Sequence, residues 1–160
     1  MVTEKEIWSY LEEVSDPEIP VLSIVDLGVV RSVSISNDEV VITITPTYSG
    51  CPAMKHIEDA IIERFKLQNI KASVVLTLSP AWTTDWLTEN GKNKLREYGI
   101  APPENEVDKS VLFAEPTIVP CPLCASRDTR MISQFGSTAC KAHYQCNVCL
   151  EPFDYFKCLK

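Results

Sequence analysis

No run of apolar residues approaches the ~18 needed to cross a bilayer, so no membrane role is expected. The start, Met1-Val-Thr-Glu-Lys-Glu-Ile-Trp, lacks the basic and apolar blocks of a secretory leader, which predicts a cytoplasmic chain. There is no Glu-x-x-His pair for a di-iron site, no phosphate-cradling glycine loop and no flavin or nucleotide fingerprint. Internal repeats and low-complexity segments are also missing. Basic residues are scarce, 15 Lys and Arg against 22 Asp and Glu, for a net charge of −7. Four of those acids and five of those bases fall in residues 111–160, which leaves the preceding part at −8. An acidic body without a basic stripe argues against nucleic acid as a partner.

What the chain does have is 45% apolar and 23% charged residues, the mixture of a globular protein. Its 160 residues suit one ordinary domain plus a small appendage. Seven cysteines, an odd number without a leader, point to reduced thiols used for metal or chemistry. Four of them form two matched pairs, Cys121-Pro-Leu-Cys124 and Cys146-Asn-Val-Cys149. Two such pairs read as a metal site with tetrahedral reach. The metal would supply folding energy that a module this small cannot draw from its own core. Zinc is the default for four thiolates, and an iron–sulfur centre is also chemically allowed. A dithiol redox site at Cys121 and Cys124 would need a following helix, which the turn-like Ala125-Ser-Arg-Asp opposes. The 21 residues between Cys124 and Cys146 suffice for a hairpin between two metal-binding turns. Cys140 and Cys158 are extra thiols, and Cys140 is the better placed to replace a quartet member. His143 reads as a spare group beside the ligands, and His56 as a surface residue.

Before the quartet, periodicity predicts a two-layer α+β domain in the order α-β-β-α-β-α. Thr3 and Glu6 make a capping box for a helix over 4–14. Val29–Ile35 and Val40–Thr45 alternate around the turn cluster Ser36–Glu39, predicting a hairpin. Met54, Ile57, Ile61 and Phe65 predict a helix over 52–67, followed by a strand at 72–78. Thr83 or Thr84 would cap a last helix ending near Gly99, with Gly91 as its weak point. Trp82, Trp86 and Leu87 form an apolar patch assigned to the core. Proline-rich residues 101–117 are the expected linker, although Val111-Leu-Phe could be a short strand. The division is therefore 1–100, linker 101–117, and metal module 118–160.

Cys51 stands apart from the quartet, between Gly50 and Pro52, where a strand ends and a helix begins. Unpaired amides and the helix dipole there should favour its thiolate. Thr45, Thr47, Tyr48 and Ser49 offer hydroxyls nearby. Asp16, Glu18 and Asp26 precede the first strand, and Asp16 is assigned to turn or capping duty. Cys51 is thus a candidate nucleophile or soft-metal ligand, the alternative being an inert core cysteine.

Asp16-Pro-Glu-Ile-Pro, Val25-Asp-Leu-Gly-Val-Val and Thr45-Pro-Thr-Tyr-Ser-Gly-Cys-Pro-Ala resemble the motifs of the MIP-eighteen family, the SufT-like iron–sulfur assembly domain. That resemblance covers roughly residues 4–100. Phe135-Gly-Ser-Thr-Ala-Cys-Lys and Glu151-Pro-Phe-Asp-Tyr-Phe-Lys-Cys, around the two cysteine pairs, are similar to the PaaD family of phenylacetyl-CoA epoxidase systems. Ala125 departs from the glycine that commonly follows the second cysteine of such a turn.

The resemblance implies a compact MIP-eighteen-type domain followed by a zinc-ribbon-like module holding one structural zinc. It implies an accessory, non-catalytic role in assembling a multicomponent monooxygenase of phenylacetate degradation. Cys51 would be a transient ligand for iron or an iron–sulfur cluster, with Asp16, Glu18, Asp26, Thr45 and Thr47 in support. Clients would be the reductase or the di-iron oxygenase subunits, and a homodimer or a client cysteine would complete the site. A structural subunit of the oxygenase and an electron-transfer protein with a permanent cluster are the other readings.

Overall fold

The computed structural model describes residues 2–103 and 118–157. The chain separates into two compact units, Met1–Gly91 and Lys92–Lys160. Val111-Leu-Phe, Cys158 and most of the expected linker lie outside the described residues. No helix among those described is long and apolar enough to cross a membrane.

In the first unit, α1 (Glu4–Glu12) starts at the expected capping box: the Glu6 amide donates to Thr3 Oγ1, and the Thr3 amide to Glu6 Oε2. The chain leaves the helix two residues earlier than its apolar spacing predicts, and Val14 is buried beyond it. β1 (Val30–Ser36) and β2 (Glu39–Ile44) form the expected antiparallel hairpin. Asn37 and Asp38 turn it at φ 50° and 63°, left-handed values that small polar residues tolerate and a two-residue hairpin demands. β3 (Lys71–Leu76) pairs parallel to β2, giving the order β1-β2-β3. A parallel neighbour needs a crossover, which α2 (Ala53–Lys66) supplies.

Burial follows the two periodicities. Val40, Ile42 and Ile44 alternate into the core, and Ile57, Ile61 and Phe65 recur at every fourth position of α2. Tyr10 of α1 meets Phe65 edge-on at 5.9 Å, and Arg64 of α2 clasps Glu13 with bonds of 2.9 and 3.0 Å.

The expected last helix is broken differently. Thr83 caps only a single 3-10 turn (Thr84–Trp86), Leu87 is extended, and α3 (Glu89–Tyr98) begins afresh. The break falls at Leu87 and Thr88, not at Gly91. Asp26 provides the reason. The Thr88 amide donates to the Asp26 carbonyl, and the Thr88 hydroxyl donates to the Asp26 carboxylate at 3.0 Å. That same hydroxyl accepts from the Gly91 amide at 2.9 Å, so Thr88 is the true cap of α3. Of the aromatic patch, Trp82 and Leu87 are buried, and the Trp82 indole donates to the Leu27 carbonyl. Trp86 is only half-buried, and the Arg31 guanidinium covers its ring 3.3 Å from the centroid.

Gly28 makes this packing feasible. Its φ is +75°, and a Cβ there would lie 2.3 Å from the Trp86 carbonyl oxygen. Gly28→Ala is therefore expected to destabilise the first unit by more than about 2 kcal/mol, combining left-handed strain with a backbone clash. Chemical denaturation monitored by tryptophan fluorescence would detect it, and a neutral result would contradict the packing.

The second unit is a four-stranded sheet of order β4-β7-β6-β5. β4 (Ile100–Ala101) runs parallel to β7 (Pro152–Phe156). β6 (Lys141–Cys146) pairs antiparallel with β7 and with β5 (Thr129–Ser133). The β5–β6 hairpin is the one expected between the cysteine pairs. Tyr144 is at the centre, stacked on Phe153 and edge-on to Tyr155, each with ring centroids 5.8 Å away. Ala101, Val119, Cys121, Ala142 and Cys146 complete a small core.

Candidate functional site

β2 delivers the chain into the Thr45–Pro52 segment, which the Thr45 amide anchors by donating to the Val29 carbonyl at 2.8 Å. Gly50 takes φ +79°, and Cys51 follows at the mouth of α2. Pro52 is the N-cap and offers no side-chain cap, so the first amides of α2 look toward Cys51 and its neighbours. The thiol is half-buried.

Its acidity runs against expectation. Burial pushes the Cys51 thiol up, and the Glu18 and Asp16 carboxylates push it further. The Ala53 amide and Tyr48 pull the other way without prevailing. The helix-mouth amide is present as anticipated, but desolvation and two negative charges outweigh it. Burial and the two carboxylates thus favour the neutral thiol, and an arriving cation, attracted by the same carboxylates, would favour the thiolate.

The candidate residues around Cys51 divide by place. Asp16 and Glu18 lie within electrostatic reach of the thiol. Asp16 also performs the predicted turn duty, accepting from the Glu18 and Ile19 amides at 2.9 and 2.8 Å. Thr47 is buried, as is Thr45, whose hydroxyl has no hydrogen-bond partner among the described residues. Such an orphan costs about 1–3 kcal/mol, an unusual feature for a strand end. Asp26 is different: Thr88 and Asn90 engage its carboxylate at 3.0 and 3.1 Å, and it is not among the charges acting on Cys51. His56 is exposed.

The quartet converges within the second unit. The ligand sulfurs of Cys121, Cys124, Cys146 and Cys149 all lie within 4.8 Å of one another. The two turns that carry them match step for step. In each, the first cysteine's amide donates to the carbonyl five residues on, Cys121 to Ser126 at 2.9 Å and Cys146 to Glu151 at 3.1 Å. In each, the residue after the second cysteine is left-handed, Ala125 at φ 63° and Leu150 at φ 65°. The missing glycine at Ala125 therefore changes the strain of the turn and not its shape.

This donor set fits one tetrahedral ion. With metal–sulfur bonds of about 2.3 Å, the sulfurs should lie about 3.8 Å apart. Cys121–Cys149 is 3.7 Å and Cys124–Cys146 is 3.5 Å. Without a cation, Cys146 and Cys149 are pulled in opposite directions. The Cys149 and Val148 amides lower Cys146 to about 7. Cys149 accepts from the Glu151 amide, yet burial and the three neighbouring thiols push it up to about 12. A divalent ion resolves that conflict by letting all four ionise.

Cys140 does not replace a quartet member, because the four ligands are complete without it. It is buried, with Thr138 Oγ1 3.1 Å from its sulfur. Its carbonyl accepts from the Lys157 amide, and the buried Lys157 ammonium donates to the Gln134 carbonyl beside the Phe135 ring. The Phe135–Lys141 motif is thus the closing loop of the ribbon. His143 pairs with Asp154 at 3.3 Å and stays outside the quartet. Sequence reasoning had no means of finding the Asp26–Thr88–Asn90 network, whose partners are 62 and 64 residues apart.

Comparison with known proteins places each half of the chain in a family. Residues 4–78 match the model of the iron–sulfur cluster assembly protein family, and residues 105–157 that of the PaaD zinc beta ribbon domain. The chain is 54% identical over 155 residues to a 1,2-phenylacetyl-CoA epoxidase subunit of Escherichia coli (strain K12), covering 96% of this chain and 92% of that one. It is 35% identical over 98 residues to an Fe–S protein maturation auxiliary factor of Porphyromonas gingivalis, covering 58% of this chain and 90% of that protein. A solved domain of unknown function, DUF59, from Bacillus anthracis shares the fold at a TM-score of 0.54 and 29% identity, covering 57% of this chain and 90% of that one. The chain belongs to the PaaD family of phenylacetyl-CoA epoxidase subunits, built from an iron–sulfur-assembly domain of the MIP-eighteen type and a four-cysteine ribbon.

Proposed function

We propose that this chain is an accessory maturation factor for the multicomponent phenylacetyl-CoA epoxidase, helping to deliver or assemble an iron–sulfur or di-iron centre, with no catalysis of its own. The assembly domain would end at Gly91, short of the expected residue 100, and the metal module would begin before residue 118, because β4 at Ile100–Ala101 already belongs to the ribbon sheet. Cys51 would hold iron or a nascent cluster transiently, with Asp16 and Glu18 attracting the cation, and then pass it to the reductase or oxygenase subunits.

One observation carries the reading. Among the described residues, only the ribbon quartet gathers three or more metal-donor side chains, and Cys51 belongs to no such group. A ligand at the mouth of a helix with too few fixed partners favours release, as a carrier requires. A client cysteine or a second copy would supply the missing donors. The quartet supports the opposite kind of site, closed and structural; its sulfur spacing favours one tetrahedral ion, for which zinc is the default with four thiolates. A multi-iron cluster would have to spread the same four thiolates around a larger core. This argues against a permanent multi-iron electron-transfer cluster in the ribbon.

The test is to produce the epoxidase components with and without this chain and to measure iron and acid-labile sulfide in each. A component that is underloaded without the chain, and recovers when the chain is restored, is the expected result. Fully loaded components in its absence, with the chain instead held stoichiometrically in the purified complex, would favour a structural role.

A further inference from the structure

The ribbon quartet has an inner and an outer side. Cys121 and Cys146 are buried in the ribbon core, whereas Cys149 is half-buried and Cys124 is exposed. The outer side is apolar. Leu123, Val148 and Leu150 are 58%, 63% and 67% exposed. Leu123 adjoins Cys124, while Val148 and Leu150 flank Cys149, and consecutive Cα atoms are about 3.8 Å apart. With the four sulfurs inside 4.8 Å, these three exposed residues all lie next to the quartet, on the two turns that carry its outer ligands. Scattered exposed leucines are ordinary, but three apolar side chains around one exposed ligand form a patch.

The charge at this end of the ribbon is also defined. In residues 121–130 and 145–151, Arg127 and Arg130 cancel Asp128 and Glu151. Four thiolates on a divalent ion then leave a net charge of two minus, centred among the three apolar side chains.

We infer that the face formed by Leu123, Cys124, Ala125, Val148 and Leu150 docks a protein segment that presents an apolar side chain flanked by lysine or arginine, and that docking covers Cys124. This rests on the proposed function, which supplies the partner: a component of the epoxidase. The apolar anchor fills the space between the two turns, and the cations meet the thiolates. A second copy is a poorer fit, since a two-fold contact on this face would oppose two like-charged centres. Nucleic acid is repelled by the same charge.

The experiment uses the full metal-loaded chain and the separately purified oxygenase and reductase components. The double variant Leu123→Ser with Val148→Ser, and separately Leu150→Asn, which tolerates the left-handed backbone, should keep the metal and the unfolding temperature. The double variant should lose about 100-fold in affinity for the component that binds the parent chain. Parent affinity should fall with added salt, and the bound component should slow alkylation of Cys124 and the metal release that follows. Undiminished binding by the metal-replete double variant would overturn the docking face alone. Binding of neither component by the parent chain would overturn both this inference and the function beneath it. Concentration-dependent dimerisation of the parent, abolished in the double variant, would assign the face to a second copy and overturn the inference.

Discussion

Replacing Cys146 with serine is expected to empty the metal site and unfold the second unit while the first stays folded. Cys146 is fully buried and belongs both to the quartet and to the ribbon core. A unit this small draws only marginal stability from its apolar core. The binding free energy of a structural zinc, about 10–16 kcal/mol, is as large as the whole roughly 5–15 kcal/mol that holds a typical domain together. Losing one ligand of four therefore removes more than the unit can spare. Hydrogen exchange should show protection lost from β5, β6 and β7 and retained in α1, β2 and α2, because the two units are separately compact. Chelation should have the same effect. Acid should act likewise, since four protons compete with one ion and occupancy falls as pH falls. A serine variant with full metal content and an unchanged melting profile would refute the structural role.

Cys51→Ala should have the opposite pattern, an intact fold and a failed client. The thiol is half-buried, and trimming it to a methyl group should cost about 1 kcal/mol or less. The iron and sulfide content of the client component should nevertheless fall severalfold, because no second donor set among the described residues can take over. Cys51→Ser sharpens the experiment. It keeps the shape and a hydrogen-bonding group but replaces a soft donor with a hard one, so it should fail as alanine does. Full client loading by both variants would remove Cys51 from the mechanism.

Much of this was legible in the sequence because the signals are local. The Thr3–Glu6 box, the Asn37–Asp38 turn and the spacing of Ile57, Ile61 and Phe65 each fix structure through near neighbours. The quartet was legible for the same reason, each half being a four-residue turn. What was hidden depends on distant partners. The parallel pairing of β2 with β3 leaves no mark on either strand. The helix expected from Thr83 onward gives way because Asp26, far back in the chain, captures Thr88. The rise in the Cys51 thiol is of this kind too. The helix mouth can be read at Gly50-Cys-Pro, but the burial and the carboxylates of Asp16 and Glu18 exist only after folding. Ala125 shows the converse, a sequence departure that the turn absorbs at φ 63°.

On the proposed function, the chain carries one closed structural metal and one open, transient thiol site. Metal and acid-labile sulfide analysis, with an optical spectrum, on protein purified without oxygen tests it most directly. One zinc per chain, no stoichiometric sulfide and no reducible chromophore are expected. Stoichiometric iron and sulfide that survive the Cys51→Ala change would place a permanent cluster in the ribbon and contradict it.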